Sequence, residues 1–317
     1  MKILVSDAAQ MLQKADDILI LTHQSPDGDT LGSGFAICRA LRSLGKRAQV
    51  VCSDPIPHKY AYLWQGLEEQ KFSPEFILAV DVADPKLLGP ALSSYANRVD
   101  LCIDHHGSNT RYAKHLLLEE CAATCEMIYN VICAMDVELD RAMAEDLYTG
   151  ISTDTGCFRY SNTTIRTHLI AAKLLELGID AYAINRAMFE IKSPSFFELR
   201  KLALDSIETY FDGHCALMYI TYQNMQATSA QQEDLDGLTV IPRQMEGVDI
   251  GVVLKEKEPG LWKISVRTGE PYSASQLCAK LGGGGHARAA GCSLTGSMDQ
   301  VRNQMLPVLA EALGVSL

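Results

Sequence analysis

Apolar residues in this chain gather first in short, unbroken runs. Ile18-Leu19-Ile20-Leu21 leads into Thr22-His23 and a loop containing Pro26, which reads as a buried strand entering a polar loop. Small and apolar residues then recur at helical spacing from Leu31 to Leu44 and stop at Gly45, and 48–52 reads as a second strand. The runs 76–81 and 99–104 are two more strands of the same kind. Helical periodicity covers roughly 122–135, 141–152 and Thr164 to Leu177, with Thr153-Asp154-Thr155-Gly156 expected as a loop between helices. Strands alternating with helices predict an α/β fold whose parallel sheet carries helices on both faces. This first domain is expected to span 1–190. Residues 191–209, including Ser193-Pro194-Ser195, suit a helical connector, and strand-like stretches at 215–222, 248–254 and 261–268 predict a smaller α/β domain over 210–317. In the last stretch Trp262, Ile264 and Val266 alternate with Lys263, Ser265 and Arg267, so one face packs a core and the other offers polar groups, with Lys263 toward solvent.

Two domains also suit a length of 317 residues, beyond what one core usually supports. The net charge of −11 comes without a basic stripe, which argues against long duplex DNA as a partner; if the ligand carries phosphate, it is expected to be small enough to be held by a few local cations and metals. The chain starts MKILVSDAAQMLQKADD, reaching acids before any sustained apolar run, and no run is long enough to span a bilayer. A cytoplasmic location with no membrane partner is therefore expected. Most of the ten cysteines lie inside apolar segments and read as reduced, buried thiols. Cys121 and Cys125 lack the second pair that a zinc–thiolate site would need.

Candidate chemistry sits where the strands end. His23-x-x-x-Asp27-x-Asp29 follows the first, Asp81 ends the third, and Asp104-His105-His106 ends the fourth. Ligands of open parallel sheets bind beyond the carboxyl ends of the strands, so these residues are expected to converge, with Asp154 nearby. His23 to Asp29 taken alone also reads as a polar loop with an Asp-Gly turn. Repeated placement of ionisable groups where burial would penalise them favours metal binding. Oxygen-rich ligation with some imidazole suits manganese or magnesium.

A second informative stretch is Leu281-Gly282-Gly283-Gly284-Gly285-His286-Ala287-Arg288-Ala289-Ala290-Gly291. Such a run is a flexible turn or a place where backbone N–H groups approach an anion. It lacks the Lys-Ser/Thr pair of a P-loop, and no G-x-G-x-x-G follows the first strand, so ATP and dinucleotide cofactors lose support.

In chain order, His23-Gln24-Ser25-Pro26-Asp27-Gly28-Asp29, Val80-Asp81-Val82-Ala83-Asp84, Asp104-His105-His106 and Ser152-Thr153-Asp154-Thr155-Gly156 resemble the motifs of the DHH phosphoesterase family. The glycine stretch resembles the Gly-Gly-Gly-His motif of the DHH-associated domain in the branch of stand-alone nanoRNases and pAp phosphatases. The resemblance implies two adjacent divalent cations, Mn2+ with Mg2+ as the alternative. One would be held by His23, Asp27 and Asp81, the other by Asp29, Asp81, His105 and Asp154, with Asp81 bridging. It implies in-line attack of water at phosphorus, with His106 on the scissile phosphate and Asp104 either orienting the imidazoles or packing in the core. Ser265 and Arg267 match the family's Ser-x-Arg element. With Gly283, Gly284, Gly285, His286 and Arg288 they are expected to hold a substrate phosphate from an inter-domain cleft. Phe158 and Arg159 either meet a base and a phosphate or are a core Phe and a surface Arg.

The stretch 268–275 departs from the branch pattern, which bears on base and sugar recognition. The glycine-histidine motif weighs against an inorganic pyrophosphatase. What the resemblance implies is hydrolysis of short oligoribonucleotides or DNA oligonucleotides, or of 3',5'-bisphosphate nucleotides. The alternatives are a cyclic or linear dinucleotide phosphodiesterase and, outside catalysis, a nucleotide-sensing regulator, which the complete ligand set argues against. A homodimer rests on the resemblance alone.

Overall fold

In a computed structural model, which describes residues 1–235 and 237–316, the apolar runs become strands β1 (Ile18–Leu21), β2 (Ala48–Val51), β3 (Phe76–Val80) and β4 (Leu101–Asp104). A fifth strand, β5 (His115–Leu118), joins them, and all pair in parallel in the order β2-β1-β3-β4-β5. With helices α1 (Val5–Lys14), α2 (Gly28–Ser43), α3 (Thr124–Ala134), α4 (Arg141–Asp154), α5 (Ile165–Glu176) and α6 (Ala181–Asn185), they make one compact unit, Met1–Ile191.

Successive strand residues are buried on opposite faces. Ile18, Ile20, Leu78 and Val80 pack with Leu31, Ile37, Ile128 and Leu147 of the α-helices. Leu19, Leu21, Ile77 and Ala79 pack with Leu88 and Leu92 of two short 3-10 helices. Burial on both faces is why the runs are unbroken rather than alternating, each fully buried Leu or Ile contributing about 1.5–3 kcal/mol. Chain order reverses between β1 and β3, which opens a crevice at their carboxyl ends.

Two local expectations are corrected, and one strand is new. The helix expected from Leu31 starts at Gly28, because the Asp27 side chain accepts the N–H groups of Asp29 and Thr30 and caps it; Asp29 is therefore a helix residue and not a loop residue. Asp154 likewise belongs to α4 rather than to a loop: the Thr153 and Thr155 hydroxyls donate to carbonyls of the preceding turn, so residues that usually break helices extend this one. The strand β5 is not expected from the sequence.

Helices α2 and α4 cross at backbone contact. A Cβ on Gly28 would overlap the Thr153 side chain, one on Gly32 would overlap the Asp146 carbonyl, and one on Gly150 would meet Cys125 and Asp29. This close crossing brings Asp29 and Asp154 toward the crevice.

The second unit, Lys192–Leu317, begins with α7 (Pro194–Asp205), capped by Ser193. Its Phe196, Leu199 and Ala203 are buried with Met218, Ile220 and Val253, so most of the expected connector is a packed helix of this unit. The remaining elements are β6 (Glu208–Tyr210), β7 (Cys215–Ile220), α8 (Tyr222–Thr228), β8 (Ile250–Glu258), β9 (Leu261–Thr268), α9 (Ala274–Ala279), β10 (Gly284–Gly285), β11 (Ala289–Thr295) and α10 (Met298–Leu313). The strands form a mixed sheet in the order β10-β11-β9-β8-β7-β6. On β9, Trp262, Ile264 and Val266 enter the core with α9 and α10, and Lys263 is exposed. Among the described residues no helix is long and apolar enough to cross a membrane.

Candidate metal centre

The crevice between β1 and β3 collects donors from five elements. His23 and Asp27 follow β1, Asp29 lies in the first turn of α2, Asp81 follows β3, His105 and His106 follow β4, and Asp154 ends α4. Asp81 holds φ +60°, a left-handed conformation that Asp tolerates better than most residues and that is costly unless its surroundings enforce it.

Three sets of donors, each with its ligand atoms within 4.8 Å of one another, interlock here: His23, Asp27 and Asp81; Asp29, His105 and Asp154; and Asp81, His105 and His106. His23 Nε2 lies 3.6 Å from both Asp27 Oδ1 and Asp81 Oδ2. His105 Nε2 lies 3.5 Å from Asp154 Oδ2, 3.7 Å from Asp81 Oδ1 and 4.0 Å from Asp29 Oδ2. These separations exceed hydrogen-bond length. Donors about 2.1 Å from an octahedrally held cation lie roughly 3.0–4.2 Å apart, so the spacing fits donors that share a metal ion. Carboxylates with imidazole suit manganese or magnesium. Burial pushes the Cys125 thiol well above its usual range.

Hydrogen bonds to the fold aim the donors. His23 Nδ1 donates to the Gln24 carbonyl at 2.8 Å and His105 Nδ1 to the Cys121 carbonyl at 3.1 Å, which leaves each Nε2 toward the crevice. Both oxygens of Asp29 accept from the first turn of α3: Thr124 N–H at 2.7 Å and Cys125 N–H at 2.9 Å. The residue at the N-cap of α3, Ala123, has no side-chain cap of its own. Asn162 Nδ2 donates to the carbonyls of Ala122 and Asp154, tying the end of α4 to the loop before α3.

Asp104 is fully buried, accepting from His106 Nδ1 at 2.7 Å and from Asn109 Nδ2 at 2.6 Å. Asp104 is thus both packed in the core and bonded to the His106 imidazole. Because that bond occupies Nδ1, His106 presents its Nε2 edge away from Asp104, unlike His23 and His105, whose Nε2 atoms face the carboxylates.

The electrostatics describe a site built for positive charge. Burial lifts Asp29 to about 7, with the charge of Asp81 adding to it, and burial with the neighbouring Asp29, Asp27 and Asp81 lifts Asp154 well above the carboxylate range. Burial opposes ionisation of Asp81 too, but the His23 contact and the three imidazoles overcome it and hold Asp81 below its usual range. For His23 burial opposes the proton, and Asp27 and Asp81 outweigh it, so the imidazole is drawn strongly toward imidazolium. Protons held this way must leave when a divalent cation binds.

In the second unit the glycine stretch is neither a loose turn nor a helix start. Gly284–Gly285 is the edge strand β10, paired with β11 across the His286–Arg288 turn. Gly284 pairs with Gly291, which pairs with Ser265, so the row β10-β11-β9 is nearly bare of side chains on the face that carries Ser265 and Arg267. A Cβ on Gly283 would overlap the Gly291 carbonyl, and Gly285 has φ +141°, so the fold itself demands glycine at both. A Cβ on Gly284 would meet nothing within 4 Å. His286 is exposed, and Arg288 donates to the Gly269 and Tyr272 carbonyls and pairs with Glu270 at 2.9 Å, bracing the turn.

Residues 17–151 match the DHH family, N-terminal domain, and residues 218–314 match the DHHA1 domain. The chain is 33% identical over 305 residues to the bifunctional oligoribonuclease and PAP phosphatase NrnA of Thermus thermophilus, covering 93% of this chain and 90% of that protein. The chain belongs to the DHH family. Another relative, the cyclic-di-AMP phosphodiesterase PdeA of Listeria monocytogenes, is 25% identical over 92% of this chain and 47% of that longer protein. Among solved structures, an exopolyphosphatase-related protein from Bacteroides fragilis superposes with a TM-score of 0.86 at 25% identity, covering 98% of this chain and 95% of that one.

Measured against the sequence expectations for a DHH protein, the structure brings His23, Asp27, Asp29, Asp81, His105, His106 and Asp154 together, with Asp104 behind His106. Ser265, Arg267 and the glycines form one strip of the second sheet, and Arg288 is engaged within its own unit. Phe158 stacks on His168 and packs near Tyr148, the core reading of that residue, and Arg159 is exposed. Thr124, Asn109 and Asn162 take part in these arrangements and were not singled out from sequence. Gly291 closes the glycine stretch in the sequence, where no role of its own is expected for it.

Proposed function

We propose that this DHH-family chain is a metal-dependent phosphoesterase that hydrolyses short oligoribonucleotides and 3',5'-bisphosphate nucleotides with two divalent cations, manganese in first place. The observation that carries this reading is the interlocking of donor sets through Asp81, whose Oδ2 lies toward His23 and Oδ1 toward His105. One carboxylate reaching two sets supports a bridged pair of cations. The similarity to an oligoribonuclease and PAP phosphatase along nearly the full length supports the substrate class.

When bound, the cations would supply Lewis-acid activation of a water and neutralisation of phosphoryl charge. His23, Asp27 and Asp81 would hold one, and Asp29, Asp81, His105 and Asp154 the other. His106 would contact the scissile phosphate. Burial opposes its proton, but the Asp104 bond and the Asp81 charge overcome that, so the ring is drawn toward the protonated form and suited to donate from Nε2 to a phosphoryl oxygen. In the second unit Ser265, Arg267 and His286 would hold a terminal phosphate over the bare strip, where Gly283, Gly284 and Gly285 admit it to the backbone and Arg288 keeps the turn in place. All ten cysteines are free thiols, which suits a reducing, cytoplasmic setting.

Cleavage of a cyclic or linear dinucleotide is the second reading, favoured by the similarity to a cyclic-di-AMP phosphodiesterase. The test is manganese-dependent product release from pAp, a linear dinucleotide, a cyclic dinucleotide, a long single strand and pyrophosphate. Turnover of pAp and the linear dinucleotide is expected, falling by roughly 10³-fold in Asp81→Ala, the equivalent of several kcal/mol of transition-state stabilisation. Equal or faster cleavage of the long strand would remove the short-substrate reading. Tight ligand binding without turnover would make the protein a sensor.

A further inference from the structure

Thr124 is the first residue of α3 and is fully buried. Its hydroxyl donates to Asp81 Oδ1 at 2.9 Å, and its amide donates to Asp29 Oδ2 at 2.7 Å. One residue thus holds a carboxylate from the end of β3 and another from the first turn of α2. Neither carboxylate is its neighbour in sequence, so the contacts are not a by-product of local chain geometry.

Asp81 has Oδ2 toward His23 and Oδ1 toward His105, so a bridge made from this geometry keeps one oxygen toward each cation. For Asp the terminal torsion is broad and roughly two-fold, so the side chain does not fix that orientation by itself. The imidazoles do not fix it either: His23 Nε2, His105 Nε2 and His106 Nδ1 stand 3.6, 3.7 and 3.4 Å from its oxygens, beyond hydrogen-bond length, and His106 Nδ1 is already bonded to Asp104 at 2.7 Å. The Thr124 hydroxyl is a donor at bonding distance, rooted in a helix whose N-terminus is held by Asp29. We infer that Thr124 is a positioning residue of the paired-cation centre, setting the rotation of the Asp81 carboxylate so that one oxygen serves each cation. The inference rests on the proposal that two cations bind here. It adds that the pairing depends on a hydroxyl that is itself no ligand. A valine of the same shape would preserve packing and leave Asp81 free to turn.

The experiment is a titration of the metal-free protein with Mn2+, followed by electron paramagnetic resonance and calorimetry, for the unaltered chain, Thr124→Val and Thr124→Ser. Circular dichroism monitors the fold. The unaltered chain is expected to bind two ions with the spectrum of a spin-coupled pair. In Thr124→Val one of the two binds about 10–100-fold more weakly, the loss typical when a group that orients a ligand is removed. The coupled spectrum disappears, and kcat on pAp falls by a similar factor with KM unchanged. Thr124→Ser, which keeps the hydroxyl, restores both binding and coupling. Undiminished affinity and coupling in folded Thr124→Val would overturn the inference, as would equal losses in the Ser and Val variants. An unaltered chain that binds no Mn2+ would sink the two-cation reading itself and this assignment with it, whereas two ions bound without coupling would leave the two-cation reading standing and overturn this assignment alone.

Discussion

Asp29 and Asp81 are 1% and 2% exposed, whereas Gly284, Gly285 and His286 lie on the surface of the second unit. The first group is fixed before any ligand arrives: Asp29 by two helix amides, Asp81 by Thr124, the imidazoles by backbone carbonyls and by Asp104. The second is a strip of sheet whose glycines leave room and whose polar groups sit at its margin. Buried charge is costly and is kept where chemistry needs it. Exposed backbone is cheap and suits recognition of a phosphate that arrives and departs. The two regions should therefore fail differently.

The largest effect is expected for Asp154→Asn. Turnover of every substrate falls by roughly 10³-fold, as for loss of any group that holds a catalytic cation. Because burial and the nearby carboxylates disfavour the charge of Asp154, the metal-free protein should keep its melting temperature or gain about 2–4 °C, the change that about 1 kcal/mol produces in a domain of this size. Turnover and metal-free calorimetry together check this, and a drop in melting temperature would show that Asp154 serves the fold as well as the chemistry.

A smaller and more selective loss is expected for His286→Ala. Removing a hydrogen bond to a charged group, about 1.5–3 kcal/mol, lowers kcat/KM for pAp about 10–100-fold. Cleavage of bis-p-nitrophenyl phosphate, which has no terminal phosphate to hold, should change little. Equal losses on both compounds would break the division between cutting and holding. The finest contrast lies within the glycine run. Gly283→Ala overpacks the strand against Gly291 and Cys292, at about 1–3 kcal/mol of stability. Gly284→Ala should leave the melting temperature within about 1 °C and raise KM for pAp a few-fold. Thermal melts and initial rates separate the two.

The strands and the placement of His23, Asp81 and His105 are legible in the sequence because double burial writes them as apolar runs that end on ionisable groups. The same logic misplaces Asp29 and Asp154. Both sit beside glycine and threonine, residues that locally signal a turn, and they become helical because a cap and hydroxyl back-bonds override that preference. Thr124 and Asn162 could not be found this way, since the contacts that define them span 43 and 40 positions. The row through Gly284, Gly291 and Ser265 appears only once strand register is known, because one residue of slip would turn every side chain to the other face.

Asp29 is both a candidate metal ligand and the cap of a helix whose own N-cap residue, Ala123, supplies none. A lineage that abandoned the reaction could not discard this residue without also loosening α3 and, through Thr124, the strand end beside it. Decay of the activity would have to be preceded by a substitute cap, or begin at His23 or Asp154, where no helix start is at stake. An inactive descendant would therefore be expected to keep its aspartate at 29 long after the other ligands had drifted, and that residue alone would be a poor sign that catalysis survives.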